Sequence, residues 1–130
     1  LNHVQLYRSK FSSMTCGFIN SWPKESVLKG WFVKLHTNGY QRSHIHPTGW
    51  LSGVFYLKTT KVIASREGAI ELSIHGYDLP ILREGFPRVT IQPKVGDLVM
   101  FPSSLFHRTI PFQEKTERCV IAFDISPIVF

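Results

Sequence analysis

Cysteine is scarce in this sequence. Cys16 and Cys119 are its only two, separated by 103 positions, with no C-x-x-C pair. That excludes the cross-linked framework of small secreted domains and the clustered thiolates of zinc ribbons, and points to reduced thiols in a cytoplasmic compartment. Long apolar runs are also missing. No stretch approaches the roughly eighteen residues of a membrane span, and the first thirty residues lack a basic segment followed by an apolar one, so neither a spanning helix nor an export signal is expected. Lys and Arg outnumber Asp and Glu by 15 to 9, a net charge of +6, yet no block of like charge forms. A nucleic-acid-binding arm is therefore not expected, nor is nucleic acid expected as a partner. Repeats and low-complexity tracts are absent as well.

What is present is a chain of 130 residues with 43% apolar content, enough for one domain with a real core, taken here as 1–130. It begins with Leu1 rather than Met, which suggests a part of a longer polypeptide. No segment keeps a helical apolar register for three turns. Short alternating or apolar runs recur between Gly, Pro and Asn instead, which predicts a mostly β fold of sandwich or barrel type. The expected strands are Trp31 to His36, Trp50 to Lys58, Ala69 to His75, Arg88 to Gln92, Leu98 to Phe101, Phe106 to Phe112 and Arg118 to Ile125. Residues 1–29 read as a supporting N-terminal segment, with a short helix around Glu25 to Lys29, ahead of a β core over 30–127.

The chemistry concentrates in histidine. Of six, only His44 and His46 share a local motif, His44-Ile45-His46-Pro47, in a polar connection that follows the Asn38-Gly39 turn. Side chains at i and i+2 of an extended segment point to one side, so both imidazoles can meet one metal while Ile45 faces the core. His107, after Gly96-Asp97-Leu98-Val99-Met100-Phe101-Pro102, is the best-placed third ligand. Imidazole suits iron, zinc, copper or nickel, so ligand type alone leaves the ion open. A short H-x-H on its own is also compatible with polar surface. His36, at a strand end, is either beside the site or idle; His75 alternates with Glu71 and Ser73 and reads as structural; His3 carries no signal.

Several motifs in order resemble the 2-oxoglutarate and Fe(II)-dependent oxygenase family, in particular members that lie behind tetratricopeptide repeats. They are Gly39 to Lys58 with His44-Ile45-His46 and Leu51-Ser52-Gly53-Val54-Phe55-Tyr56-Leu57, then Gly96 to Pro102, His107, and Glu117-Arg118 through Ala122-Phe123. The resemblance covers about Gly30 to Pro127. It implies a double-stranded β-helix, or jelly roll, in which two four-stranded sheets enclose a metal. It further implies Fe(II), O2 and 2-oxoglutarate as co-substrate, with hydroxylation of a small molecule or protein side chain and release of succinate and CO2.

Carried over by position, the resemblance makes His44 the first metal ligand, His107 the distal one, and Arg118, eleven residues on, the receiver of the co-substrate's far carboxylate. Tyr56 resembles a tyrosine that helps hold that carboxylate, and Ser52 and Gly53 would thin the strand for a ligand. The departure is His46, which stands where a carboxylate ligand is usual. Three readings follow: an active three-histidine face, a carboxylate supplied by Asp78 or Asp97, or a binding site without turnover. Arg118 also makes sense from its strand, since it shares a face with Val120, Ala122 and Asp124, and guanidinium offers a fork that matches a carboxylate. Two rival functions remain. One is a cupin-type three-histidine enzyme that does not use 2-oxoglutarate. The other is a non-catalytic jelly-roll binding module presenting aromatics such as Trp50 or Phe112. Loops Thr37 to Arg42, Lys58 to Gly68 and Tyr77 to Pro87 are expected to frame the mouth.

Overall fold

In a computed structural model that describes residues 2–61 and 66–128, the chain folds into two antiparallel sheets with a helical N-terminal segment. Two helices, α1 (Asn2–Lys10) and α2 (Gly17–Asn20), precede seven strands: β1 (Ser26–Leu35), β2 (Leu51–Lys58), β3 (Ile70–Ser73), β4 (Arg88–Ile91), β5 (Leu98–Pro102), β6 (Phe106–Thr109) and β7 (Arg118–Pro127). The larger sheet has the order β1-β7-β2-β5 and the smaller β4-β3-β6. The jelly-roll class and all seven expected strands are therefore present, with ends shifted by a few residues. The smaller sheet has three named strands rather than four. Its fourth row is reduced to one antiparallel bridge, His44 opposite His107.

The expected helix at Glu25 to Lys29 is a correction. From Ser26 onward the segment is strand, paired residue for residue with β7 from Ser26–Pro127 to Leu35–Arg118. Val27, Trp31, Phe32 and Val33 favour an extended backbone, and Gly30 inside the run weakens any helix there. The helices lie earlier, and an aromatic chain fastens them to the sheet. Tyr7 packs against Phe11 and Phe18, Phe18 stacks on Trp50 at 5.7 Å, and the Trp50 indole donates to the Phe18 carbonyl at 3.2 Å.

The core lies between the sheets and contains Tyr56, Ile70, Phe101, Phe112 and Val120, all nearly or wholly buried. Strand alternation decides which side chains reach it. Ser52, Val54 and Tyr56 of β2 face the same way as Arg118, Val120, Ala122 and Asp124 of β7, with Ser52 directly opposite Asp124 and Tyr56 opposite Val120. Gly53 and its partner Phe123 face the other way. A Cβ at Gly53 would fall 2.1 Å from the Phe123 ring, so the glycine admits that aromatic on the outer face, while Ser52 and Gly53 both line the cavity on the inner one. Of the expected mouth loops, Lys58 to Gly68 includes residues 62–65, which lie outside the described residues.

Candidate metal centre and acid-binding pocket

The first two rings are placed by backbone pairing. His44 N–H donates to the His107 carbonyl at 3.1 Å and His107 N–H donates back at 2.9 Å, which sets the two side chains directly opposite, ring centroids 4.2 Å apart. His46, two residues on, is anchored by its N–H to the Ser103 carbonyl at 3.0 Å, and its ring turns to the same side as His44. Nε2 of His46 lies 3.3 Å from Nε2 of His44. One nitrogen from each of the three rings falls within 4.8 Å of the others. Ligands about 2.1 Å from an ion and at right angles lie about 3 Å apart; the His44–His46 pair is near that spacing, and the third ring would close toward it around one shared cation.

Hydrogen bonds on the far side of each ring choose its tautomer. Nδ1 of His44 meets the Arg42 carbonyl at 2.6 Å, Nδ1 of His107 the Leu105 carbonyl at 3.2 Å, and Nδ1 of His46 the Asp124 carboxylate at 2.7 Å. An acceptor oxygen requires N–H at Nδ1, which leaves the Nε2 lone pairs free to converge. Burial pushes the His107 pKa down to about 4, outweighing its bond to Leu105, so this ring is neutral near pH 7 and competent as a ligand. This donor set, three imidazoles with oriented outer nitrogens, fits a divalent transition metal such as iron.

Asp124 was visible in the sequence only as a member of a strand face, yet it is the carboxylate that touches the histidine cluster. The Ser52 hydroxyl donates to it at 2.7 Å and lies 2.8 Å from the Ser103 hydroxyl. Burial would raise its pKa, but the hydrogen bonds from His46 and Ser52 prevail and hold it below the usual carboxylate range. The carboxylates considered from sequence go elsewhere. Asp97 accepts from the Lys94 N–H within its turn, and Asp78 lines a separate surface groove with Ser43 and Arg108; among the described residues, neither joins the cluster.

The same cavity, about 70 Å³, is lined by the three histidines and, further along, by Arg118, Ile70 and Val120. Arg118 is 2% exposed. Its Nε donates to the Gly68 carbonyl at 3.1 Å and one Nη to the Tyr56 hydroxyl at 3.3 Å, while its guanidinium carbon sits 5.0 Å from the Tyr56 ring. Gly68 has a φ of +71°, and a Cβ there would strike Thr60, so glycine at this turn delivers the carbonyl that Arg118 needs. Burial lowers the Arg118 pKa, opposed by Tyr56, and raises that of Tyr56, opposed by Arg118. A guanidinium stays charged even so. Among the described residues no carboxylate lies within ion-pair distance of it.

Other residues singled out from sequence lie outside this cavity. The His36 side chain is 71% exposed, with Nδ1 3.8 Å from Glu117. His75 stacks on Phe86 at 5.3 Å, and His3 is on α1. Ile45 is half-buried rather than in the core, its N–H donating to the Tyr77 hydroxyl at 3.4 Å. Phe112 is fully buried and so offers no aromatic contact surface for a binding module, while Trp50 is half-buried with one face stacked on Phe18. Both cysteines are free thiols, and no helix among the described residues is long and apolar enough to cross a membrane.

With this geometry established, comparison with known proteins adds three findings. The family model described as "Putative 2OG-Fe(II) oxygenase" matches residues 29–124. None of the curated proteins compared matches the chain. Among solved structures, a Pseudomonas putida prolyl-4-hydroxylase superposes with a TM-score of 0.62 at 18% identity, covering 85% of this chain and 59% of that one. HygX from Streptomyces hygroscopicus, with nickel and 2-oxoglutarate bound, gives 0.59 at 16% identity, covering 79% and 59%. An oxidoreductase of the 2OG-Fe(II) oxygenase family from Burkholderia pseudomallei gives 0.59 at 15%, covering 78% and 45%. These likenesses show the fold, and the chain spans about three fifths or less of those structures' lengths.

Proposed function

Because the chain belongs to the 2OG-Fe(II) oxygenase family, we propose that it binds Fe(II) through His44, His46 and His107 and 2-oxoglutarate through Arg118 and Tyr56. It then hydroxylates a small molecule or a protein side chain with release of succinate and CO2. The observation that carries this reading is the buried Arg118. A guanidinium removed from water without a counter-charge is strongly unfavourable, so a fold that keeps one in a cavity beside a metal-ligating cluster favours an anionic occupant. A five-carbon dicarboxylate offers the ion one end and the arginine the other.

In that arrangement iron and 2-oxoglutarate supply the oxidising chemistry, and the chain supplies position and dryness. His44, His46 and His107 would hold the ion from one side and leave its other side open to the cavity for the co-substrate. The Arg118 fork would receive the far carboxylate, with the Tyr56 hydroxyl donating to the same oxygens and Gly68 fixing the guanidinium from behind. Val120, Ala122, Phe101 and Ile70 line the cavity with apolar surface that excludes water. The rival reading, a cupin-type three-histidine enzyme without 2-oxoglutarate, is favoured by the all-imidazole cluster and disfavoured by Arg118, which it leaves without a role. The discriminating experiment is anaerobic titration of 2-oxoglutarate into iron-loaded protein, followed by succinate measurement on admitting oxygen. Saturable binding that R118Q abolishes supports the proposal; no binding by the native chain refutes it.

A further inference from the structure

Asp124 mirrors Arg118 in sign. It is 9% exposed, and its ion-pair partner among the described residues is His46, with neither Lys nor Arg in reach. Its position is nonetheless built. Ser52 stands opposite it across the β2–β7 ladder and donates to the oxygen that also faces His46, and Ser103 closes the chain of hydroxyls. Gly49 presses backbone onto the group, since a Cβ there would fall 2.5 Å from the Ser103 hydroxyl and 3.4 Å from the Asp124 carboxyl carbon. A carboxylate in this position, with no Lys or Arg beside it among the described residues, is favoured by a cation that reaches it through the imidazole.

We infer that Asp124 is a positioning residue that supplies, one hydrogen bond out through His46, the negative charge that three neutral imidazoles do not give the metal. This rests on the metal reading of the histidine cluster. Its consequence is that the site accommodates one carboxylate, either at position 124 behind an imidazole or at position 46 as a direct ligand, and that the two together repel. His46 and Asp124 are thus a matched pair, and the unusual ligand and the buried acid explain each other.

The test is anaerobic titration of metal-free protein with Co(II), followed by its visible ligand-field band and by competition with a chelator, together with the midpoint potential of the iron-loaded protein. D124N keeps an acceptor for the His46 N–H and removes only the charge. It should weaken metal binding by about 10–100-fold and raise the iron potential. H46D alone should bind metal weakly because two carboxylates share the site, and H46D/D124N should bind more tightly than H46D. The Asp124 substitution therefore changes sign between the two backgrounds, which loss of a merely structural contact does not produce. Should D124N fail to fold, the H46D and H46D/D124N pair decides. Unchanged affinity and potential in D124N, or a double variant no tighter than H46D, overturns the inference while leaving the metal site standing; absence of Co(II) binding by the native chain overturns the metal reading itself.

Discussion

Two buried charges on β7 make an instructive contrast. Arg118 and Asp124 lie on one inner face of the same strand, six residues and about 20 Å apart, and both are buried. Among the described residues Arg118 has no carboxylate in ion-pair reach and Asp124 no Lys or Arg, its partner being the His46 imidazole. They differ in what surrounds them. Asp124 accepts from Ser52 and His46 on one carboxylate oxygen, with Ser103 bonded to Ser52 behind them, an arrangement that holds a neighbouring ring. Arg118 has one carbonyl and one phenol, so part of its donor fork still faces the cavity. On the proposed reading, the acid orients a ring of the protein and the guanidinium receives a ligand. Between them sit the three imidazoles.

The strongest way to break this contrast is to remove what lies between its poles. H44A or H107A should abolish stoichiometric Fe(II) binding, read as metal content after gel filtration, while the sheets remain folded by circular dichroism. Next comes the guanidinium. R118Q should lose 2-oxoglutarate affinity by about 2–5 kcal/mol, the usual effect of truncating one partner of a buried charge pair, with metal affinity unchanged in the same calorimetric series. The ligand-free protein gives the complementary test. Replacing an uncompensated buried charge with an apolar side chain of similar size is often neutral or stabilising, so R118M should melt no lower than the native chain. Saturating 2-oxoglutarate should then raise the melting temperature of the native protein alone. A smaller effect is expected at Tyr56, where Y56F removes one hydroxyl and should cost about 0.5–1.5 kcal/mol of 2-oxoglutarate binding. The smallest is H36A, on an exposed ring, which should leave metal affinity unaltered and stability within about 0.5 kcal/mol.

How much of this was legible in the sequence follows from the range of the interactions. The seven strands were readable because a two-residue period between Gly and Pro punctuation is a local signal. The i and i+2 geometry of His44 and His46 was local too, as was the shared face of Arg118, Val120, Ala122 and Asp124. The stretch Ser26 to Lys29 was misread because its extended form comes from a ladder with residues 124–127, a hundred positions away, which no window contains. The same cause hid the role of Asp124. Only the fold sets Ser52 opposite it and His46 against it, although an acid at an interior position of a strand was a signal that could have been followed. The second function of Gly53, admitting the Phe123 ring, was hidden for a related reason, since that ring belongs to a partner strand.

The central claim is that one cavity holds a cation at the histidines and an acid at the arginine. Anomalous diffraction from crystals soaked without oxygen in Fe(II) and 2-oxoglutarate tests it most directly. The account predicts an iron peak bonded to Nε2 of His44, His46 and His107 and continuous density from that ion to the Arg118 guanidinium. Iron bound elsewhere, or 2-oxoglutarate density that leaves Arg118 without a partner, would contradict it.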